Sequence, residues 1–162
     1  MKSFKQIALS AMLTLGAFGA VTYTSCNKDE CKDVVCENGG TCSGGNCNCL
    51  SGYEGNKCEI VSAEAILGTY TATETCQPPI TGGSWSSNIT QSSNDETRIV
   101  ISNFGASGTN VTAHVNRNAI TLDATDILGN EVTGTGTIND DEITINYNLG
   151  TAFSCTMTMT LQ

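Results

Sequence analysis

The sequence predicts a mainly β protein, with a small disulfide-rich module ahead of an eight-stranded antiparallel meander closed into a barrel. A two-sheet β-sandwich is the alternative. Three observations carry this. Six of the nine cysteines crowd between Cys31 and Cys58. The 98 residues from Ala65 to Gln162 hold 19 threonines and alternate apolar with polar side chains, the mark of half-buried strands. The last two cysteines, Cys76 and Cys155, bracket that second segment.

Charge and cysteine count narrow the function classes. The chain carries 7 Lys and Arg against 16 Asp and Glu, a net charge of −9. No basic surface is available to neutralise phosphates, so nucleic acid is excluded as a partner. Nine cysteines in 162 residues point to an oxidising compartment.

The N-terminus gives the address. Lys2 and Lys5 precede an uncharged, apolar run of 15 residues from Ile7 to Val21. A spanning helix needs about 20 apolar residues, so the run fits a secretory signal better than a permanent anchor. Tyr23-Thr24-Ser25-Cys26 resembles the lipobox of bacterial lipoproteins, with Tyr23 standing where an aliphatic residue is usual. The resemblance implies a signal peptide over residues 1–25 and acylation of Cys26, palmitate included, and two or three chains anchor stably where one does not. Asn27-Lys28-Asp29-Glu30 is similar to the Lys-then-acidic tag of Gram-negative lipoproteins exported across the outer membrane. It implies an outer-membrane protein, lipid-anchored and facing the cell exterior, with residues 26–30 as the lipidated cysteine and its linker. Without residues 1–25 the balance is 5 basic against 16 acidic side chains.

The module comes next. Its spacing runs Cys31-x4-Cys36-x5-Cys42-x4-Cys47-x-Cys49-x8-Cys58, with Asn38-Gly39-Gly40-Thr41 before the third cysteine and Gly52-Tyr53-Glu54-Gly55 before the last. Some thirty residues cannot bury enough apolar surface to fold alone, so cross-links replace the missing core. Six cysteines allow fifteen pairings, and spacing does not choose among them. The segment 31–59 resembles an EGF-like domain, and that resemblance implies Cys31–Cys42, Cys36–Cys47 and Cys49–Cys58. A zinc site is disfavoured by the lack of a nearby histidine. With Cys26 lipidated, Cys76 and Cys155 are left to pair with each other. Asn27 to Glu30 also resembles the first half of a calcium-binding EGF signature, but Ser43-Gly44-Gly45-Asn46 lacks the aromatic residue of the second half. No cofactor is expected, calcium at the module being the minor alternative.

Val61-Ser62-Ala63-Glu64 reads as a short linker, and residues 65–162 as the β domain. Turn signals at Asn94-Asp95, Gly105 to Gly108, Asn116-Arg117-Asn118, Gly129-Asn130, Asn139-Asp140 and Gly150 divide it into strands near 67–76, 84–92, 97–103, 109–115, 118–124, 130–138, 142–149 and 152–161. In the later strands Ile143, Ile145, Tyr147 and Leu149 share one face, as do Phe153, Cys155, Met157, Met159 and Leu161. Short connections imply an antiparallel meander. A Cys76–Cys155 bridge would hold the first strand beside the last, as closure into a barrel requires. Gly68-Thr69-Tyr70, Ile101-Ser102-Asn103-Phe104-Gly105 and Cys155-Thr156-Met157-Thr158 resemble the lipocalin-like β domains of bacterial lipoproteins.

No catalytic or metal residue is assigned. His114, the one histidine, lies opposite Val111, Ala113 and Val115 and is expected to face solvent. Asp123, Asp126 and Glu131 offer carboxylates of the kind glycosidases pair, but they surround a turn. The expected function is therefore not enzymatic. It is binding or adhesion to an extracellular protein or glycan through an EGF-like stalk and β domain. The alternative is a carrier holding a small apolar ligand in the barrel, and a carboxylate-based hydrolase ranks third. A core filled by Ile143, Ile145, Phe153, Met157 and Met159 favours adhesion, and an open apolar cup favours carriage.

Overall fold

The computed structural model describes residues 30–77, 79 and 83–162. The expected signal peptide, the expected lipidation site Cys26 and residues Asn27 to Asp29 of the expected export tag lie outside the described residues.

The N-terminal segment is held by three disulfides, Cys31–Cys42, Cys36–Cys47 and Cys49–Cys58. Its regular structure is slight: a hairpin of β1 (Thr41–Ser43) and β2 (Asn46–Asn48), then β3 (Tyr53–Glu54) paired with β4 (Ile60–Val61). Cys58 is the segment's one fully buried cysteine among described residues, so the covalent links do the work that apolar burial does elsewhere.

A 3-10 turn, η1 (Ser62–Ile66), leads into the sheet. The sheet strands are β5 (Gly68–Gln77), β6 (Ser84–Gln91), β7 (Arg98–Ile101), β8 (Val111–Asn116), β9 (Ala119–Leu122), β10 (Thr125–Ile127), β11 (Asn130–Asn139), β12 (Glu142–Leu149) and β13 (Phe153–Leu161). Another short turn, η2 (Phe104–Ala106), sits between β7 and β8. Every pairing is antiparallel, and β13 pairs with β5 while β9 pairs with β11. The ring β5-β6-β7-β8-β9-β11-β12-β13 is therefore a closed eight-stranded barrel, and the sandwich alternative is set aside. Closure leaves no long edge of unpaired amides. Cys76 and Cys155 are direct cross-strand partners and are disulfide-bonded.

Period two sorts the side chains. Ile143 and Ile145 on β12 and Met157 and Met159 on β13 fill the interior against Ile99, Ile101, Val111 and Val115. Thr71, Thr73 and Thr75 lie outside, each opposite a threonine of β13.

The small hairpin strand β10 was not foreseen. It exists because β11 is long enough to pair with β9 through Thr135 to Thr137 and with β10 through Asn130 to Val132. Gly134 marks the parting point: a Cβ there would stand 2.4 Å from the Asn146 carbonyl oxygen. Only glycine permits that approach.

The stretch read as a linker is instead part of the core. Val61, Ser62, Ala63 and Ile66 are buried, and η1 closes the end of the barrel where β5 begins. The Ser62 hydroxyl accepts a hydrogen bond from the Arg117 amide at 3.0 Å, and the Ser62 amide donates to the Gly52 carbonyl at 2.9 Å. Apolar residues at 61, 63 and 66 had a closed barrel end to enter, which a linear reading does not display.

Candidate functional site

The two ends of the barrel differ. One is occupied by η1 and by the cysteine-rich segment, which docks on the β6–β7 loop and on the end of β8. His114 belongs to this junction. Its neighbours Val111, Ala113 and Val115 point inward as expected, and the half-buried imidazole stands on the outer face, where the cysteine-rich segment meets it. Its Nε2 lies 2.8 Å from Ser51 Oγ, and its Nδ1 lies 3.2 Å from Thr97 Oγ1. Gly52 comes so close to Thr97 that a Cβ would sit 2.5 Å from the Thr97 Cβ, and its φ is +94°. Nearby, the Tyr53 hydroxyl donates to Glu96 at 2.8 Å. That bond, with burial and the acidic charge of Glu96 and Asp95, raises the Tyr53 phenol above its ordinary range.

The carboxylates weighed as catalytic candidates are also accounted for. Asp123 meets the Arg98 guanidinium and accepts from the Thr112 hydroxyl at 2.7 Å. Partial burial alone would raise its carboxyl, but the Arg98 and Thr112 bonds and the Arg98 charge outweigh it and hold the group below the usual range. Asp126 accepts the Gly129 amide at 2.9 Å within the β10–β11 turn, and Glu131 is its exposed cross-strand partner. The three acids do not converge on a shared reaction centre.

Toward the opposite end the described residues leave a recess. A cup of about 200 Å³ is lined by Glu74, Phe104, Gly105, Ser107, Ile127, Leu128, Val132, Tyr147, Leu149 and Cys155. Each wall has a local cause. Asn103 adopts φ 52° and Gly105 φ 57°, so the chain after β7 turns sharply and drops Phe104 into the barrel mouth, where it is 1% exposed. The Asn103 carboxamide oxygen holds this loop by accepting the Gly108 amide at 2.9 Å. Phe104 meets Tyr147 edge-on, with ring centroids 4.8 Å apart, a favoured aromatic arrangement. The β10–β11 hairpin brings Ile127 and Leu128 to the rim, and the Cys76–Cys155 bridge lies at the wall below.

Glu74 stands out. Tyr70, Ala72 and Cys76, its inward neighbours on β5, are buried, and Glu74 occupies the same register. Among the described residues it is the sole charged side chain on the barrel's inner face. Its Oε2 accepts a short hydrogen bond from the Tyr147 hydroxyl. Burial, and then the Glu74 bond and charge, push the Tyr147 phenol far up, so it stays a proton donor. Glu74, Cys76 and Cys155 place potential ligand atoms within 4.8 Å of one another, but both sulfurs are committed to the disulfide and offer no thiolate to a metal.

Glu74 was missed at the level of sequence, although the signal is there. In Tyr70-Thr71-Ala72-Thr73-Glu74-Thr75-Cys76 the glutamate falls in the apolar register, where an acid is out of place.

Two wider depressions lie outside the barrel. One, of about 420 Å³, follows the parting of β9 and β11 and is lined by Thr121, Thr133, Thr135, Asn146, Asn148 and neighbours. The other, of about 690 Å³, runs beside Tyr53 along Gln91 to Glu96.

Fold and site together define a small closed up-and-down β-barrel with a disulfide-rich N-terminal segment and one acid-bearing apolar cup. No family model and no curated protein matches the chain. Among solved structures it is similar to a redesigned β-barrel, at 14% identity and a TM-score of 0.48, over 62% of this chain and 95% of that one.

Proposed function

We propose that this protein is a lipid-anchored outer-membrane protein, displayed on the cell exterior, that binds a small, largely apolar molecule in the open end of its barrel. One observation carries the binding reading: Ile143, Ile145, Met157 and Met159 fill the middle of the barrel, but toward one end the described residues leave a cup whose largely apolar lining surrounds a single polar pair. Such a concave apolar site with a few convergent polar groups is the usual form of a small-ligand site. At about 200 Å³ it is smaller than the roughly 300–1,000 Å³ usual for drug-sized ligands, so it suits a compact one. The reading of the cysteine-rich segment as an EGF-like stalk agrees with its position. It docks at the end where β5 begins, whereas the cup is built from Glu74 and Cys76 near the end of β5. A tether entering through that segment would point the cup away from the membrane.

Adhesion to a glycan is the second reading, favoured by the uncharged Thr and Asn lining of the outer groove and by Tyr53 beside the other. The two separate by titration. Cyclohexylmethanol added to the methyl-labelled full chain should shift the Ile127, Val132 and Leu149 resonances, and Leu149→Trp should abolish the effect by filling the cup. Shifts confined to the outer strands, or none at all, would sink the cup as a ligand site.

A further inference from the structure

We propose that the cup selects molecules that carry an ammonium group on a short apolar body, with Glu74 as the counter-ion; this rests on the reading of the cup as a ligand site and names its ligand class.

The argument begins with an imbalance of charge. A carboxylate placed among apolar walls loses hydration, and proteins ordinarily compensate with a cation and further hydrogen bonds. Glu74 has only the second kind of compensation, from the Tyr147 hydroxyl on Oε2. Among the described residues no Lys, Arg or His lines the cup. Arg98, on the outer face of β7, is already engaged by Asp95 and Asp123. Glu74 is half-buried, and among the described residues no protein donor is hydrogen-bonded to its Oε1, which stays open to solvent and so to a ligand N–H.

The surroundings complete the specification. Tyr147 fixes the carboxylate, and the buried Phe104 holds Tyr147 in place by its edge-on contact. The half-buried Leu149 and the exposed Leu128 offer nothing to a second charge and suit a hydrocarbon body. Leu128 adds to this. Its φ of 54°, with Gly129 at 82°, is what a two-residue hairpin turn requires, and at 88% exposed it holds an apolar group out at the mouth. A bound apolar body would cover it. The net charge of −9 draws cations toward the protein and repels anions, reinforcing the choice.

Three probes with one hydrocarbon body make the test: cyclohexylmethylamine, cyclohexylmethanol and cyclohexanecarboxylate, titrated at pH 7 into the full chain in non-ionic detergent. The amine should bind at least tenfold more tightly than the alcohol, and the carboxylate most weakly. Glu74→Gln should abolish the preference, so that the variant binds amine and alcohol with affinities within twofold of each other. Because the ranking is measured first on the unaltered chain, the test does not depend on the variant folding. Equal binding of amine and alcohol at the cup, or a preference for the carboxylate, would overturn the ammonium assignment and leave the cup as a ligand site. Failure of all three to perturb Val132 and Leu149 would overturn both.

Discussion

At the scale of single residues, the Glu74–Tyr147 pair is the chemical centre of the barrel mouth. Tyr147 is largely buried and donates to a carboxylate, so deprotonating it would set two negative charges against each other in an apolar setting. The folded-state phenol therefore titrates above its unfolded value of about 10. A group raised in this way contributes stability that is fully present below pH 10 and is lost as pH rises through the folded value. Tyr147→Phe should cost about 1–3 kcal/mol near neutral pH, because the Glu74 carboxylate loses its donor. It should also flatten the loss of stability between pH 9 and 11. Urea unfolding across that range checks both effects, and an unchanged alkaline slope in the variant would contradict the account. Tyr53 and Tyr70 are raised as well, so a residual slope is expected.

Elements bring in the bridge between the first and last barrel strands. Cys76 and Cys155 are 79 residues apart and directly opposed across β5 and β13. In the chain-entropy model a loop of this length gives about 4.5 kcal/mol, and measured values often fall below the model. Against a typical domain stability of about 5–15 kcal/mol the loss is large. Replacing both cysteines by Ala should lower the thermal midpoint of the full chain by many degrees while leaving the three N-terminal disulfides in place. Retention of the wild-type midpoint would show that strand pairing alone holds the closure. The experiment belongs on the full chain, because a fragment beginning at Ala65 would lack Val61 and Ala63, which are buried in the core. Much of this level was legible in the sequence. The predicted strands near 130–138, 142–149 and 152–161 lie close to β11, β12 and β13, because alternation over eight to ten residues is a strong signal. The strand near 97–103 ends earlier, at Ile101, because Asn103 to Gly105 turn back to seat Phe104. That turn depends on a barrel mouth to cover, which local pattern does not contain.

For the whole molecule, the arrangement of its two ends ties the fold to the proposed address. Ser51, Gly52 and Tyr53 bind the cysteine-rich segment to Thr97, His114, Asn116 and Glu96, so that segment and the barrel meet through specific contacts. If Cys26 carries the anchor, Cys26→Ala should release the protein from the membrane fraction without altering the barrel. Fractionation of cells, with cup binding measured on the released protein, checks this. Full membrane retention of the variant would remove the lipoprotein reading and leave the cup untouched.

The sequence by itself determined which side chains face in and which face out, and that the cysteine-rich segment must be cross-linked. Both follow from rules that act over a few residues: the two-residue period of a strand, and the inability of thirty residues to bury a core. It also placed Glu74 on the inner face, for a reader who follows the alternation through Ala72 and Cys76. Only the tertiary structure decided which end of the barrel η1 seals and where the cup forms. Sealing required Val61 to Ile66 to fold inward at the start of β5, and among the described residues η2 and the β10–β11 hairpin shape the cup toward the other end. Those outcomes depend on which loops meet across the closed ring, between residues as far apart in the chain as Glu74 and Tyr147. A local pattern fixes a face, whereas the end of a barrel is made by contacts that exist only once the ring has closed.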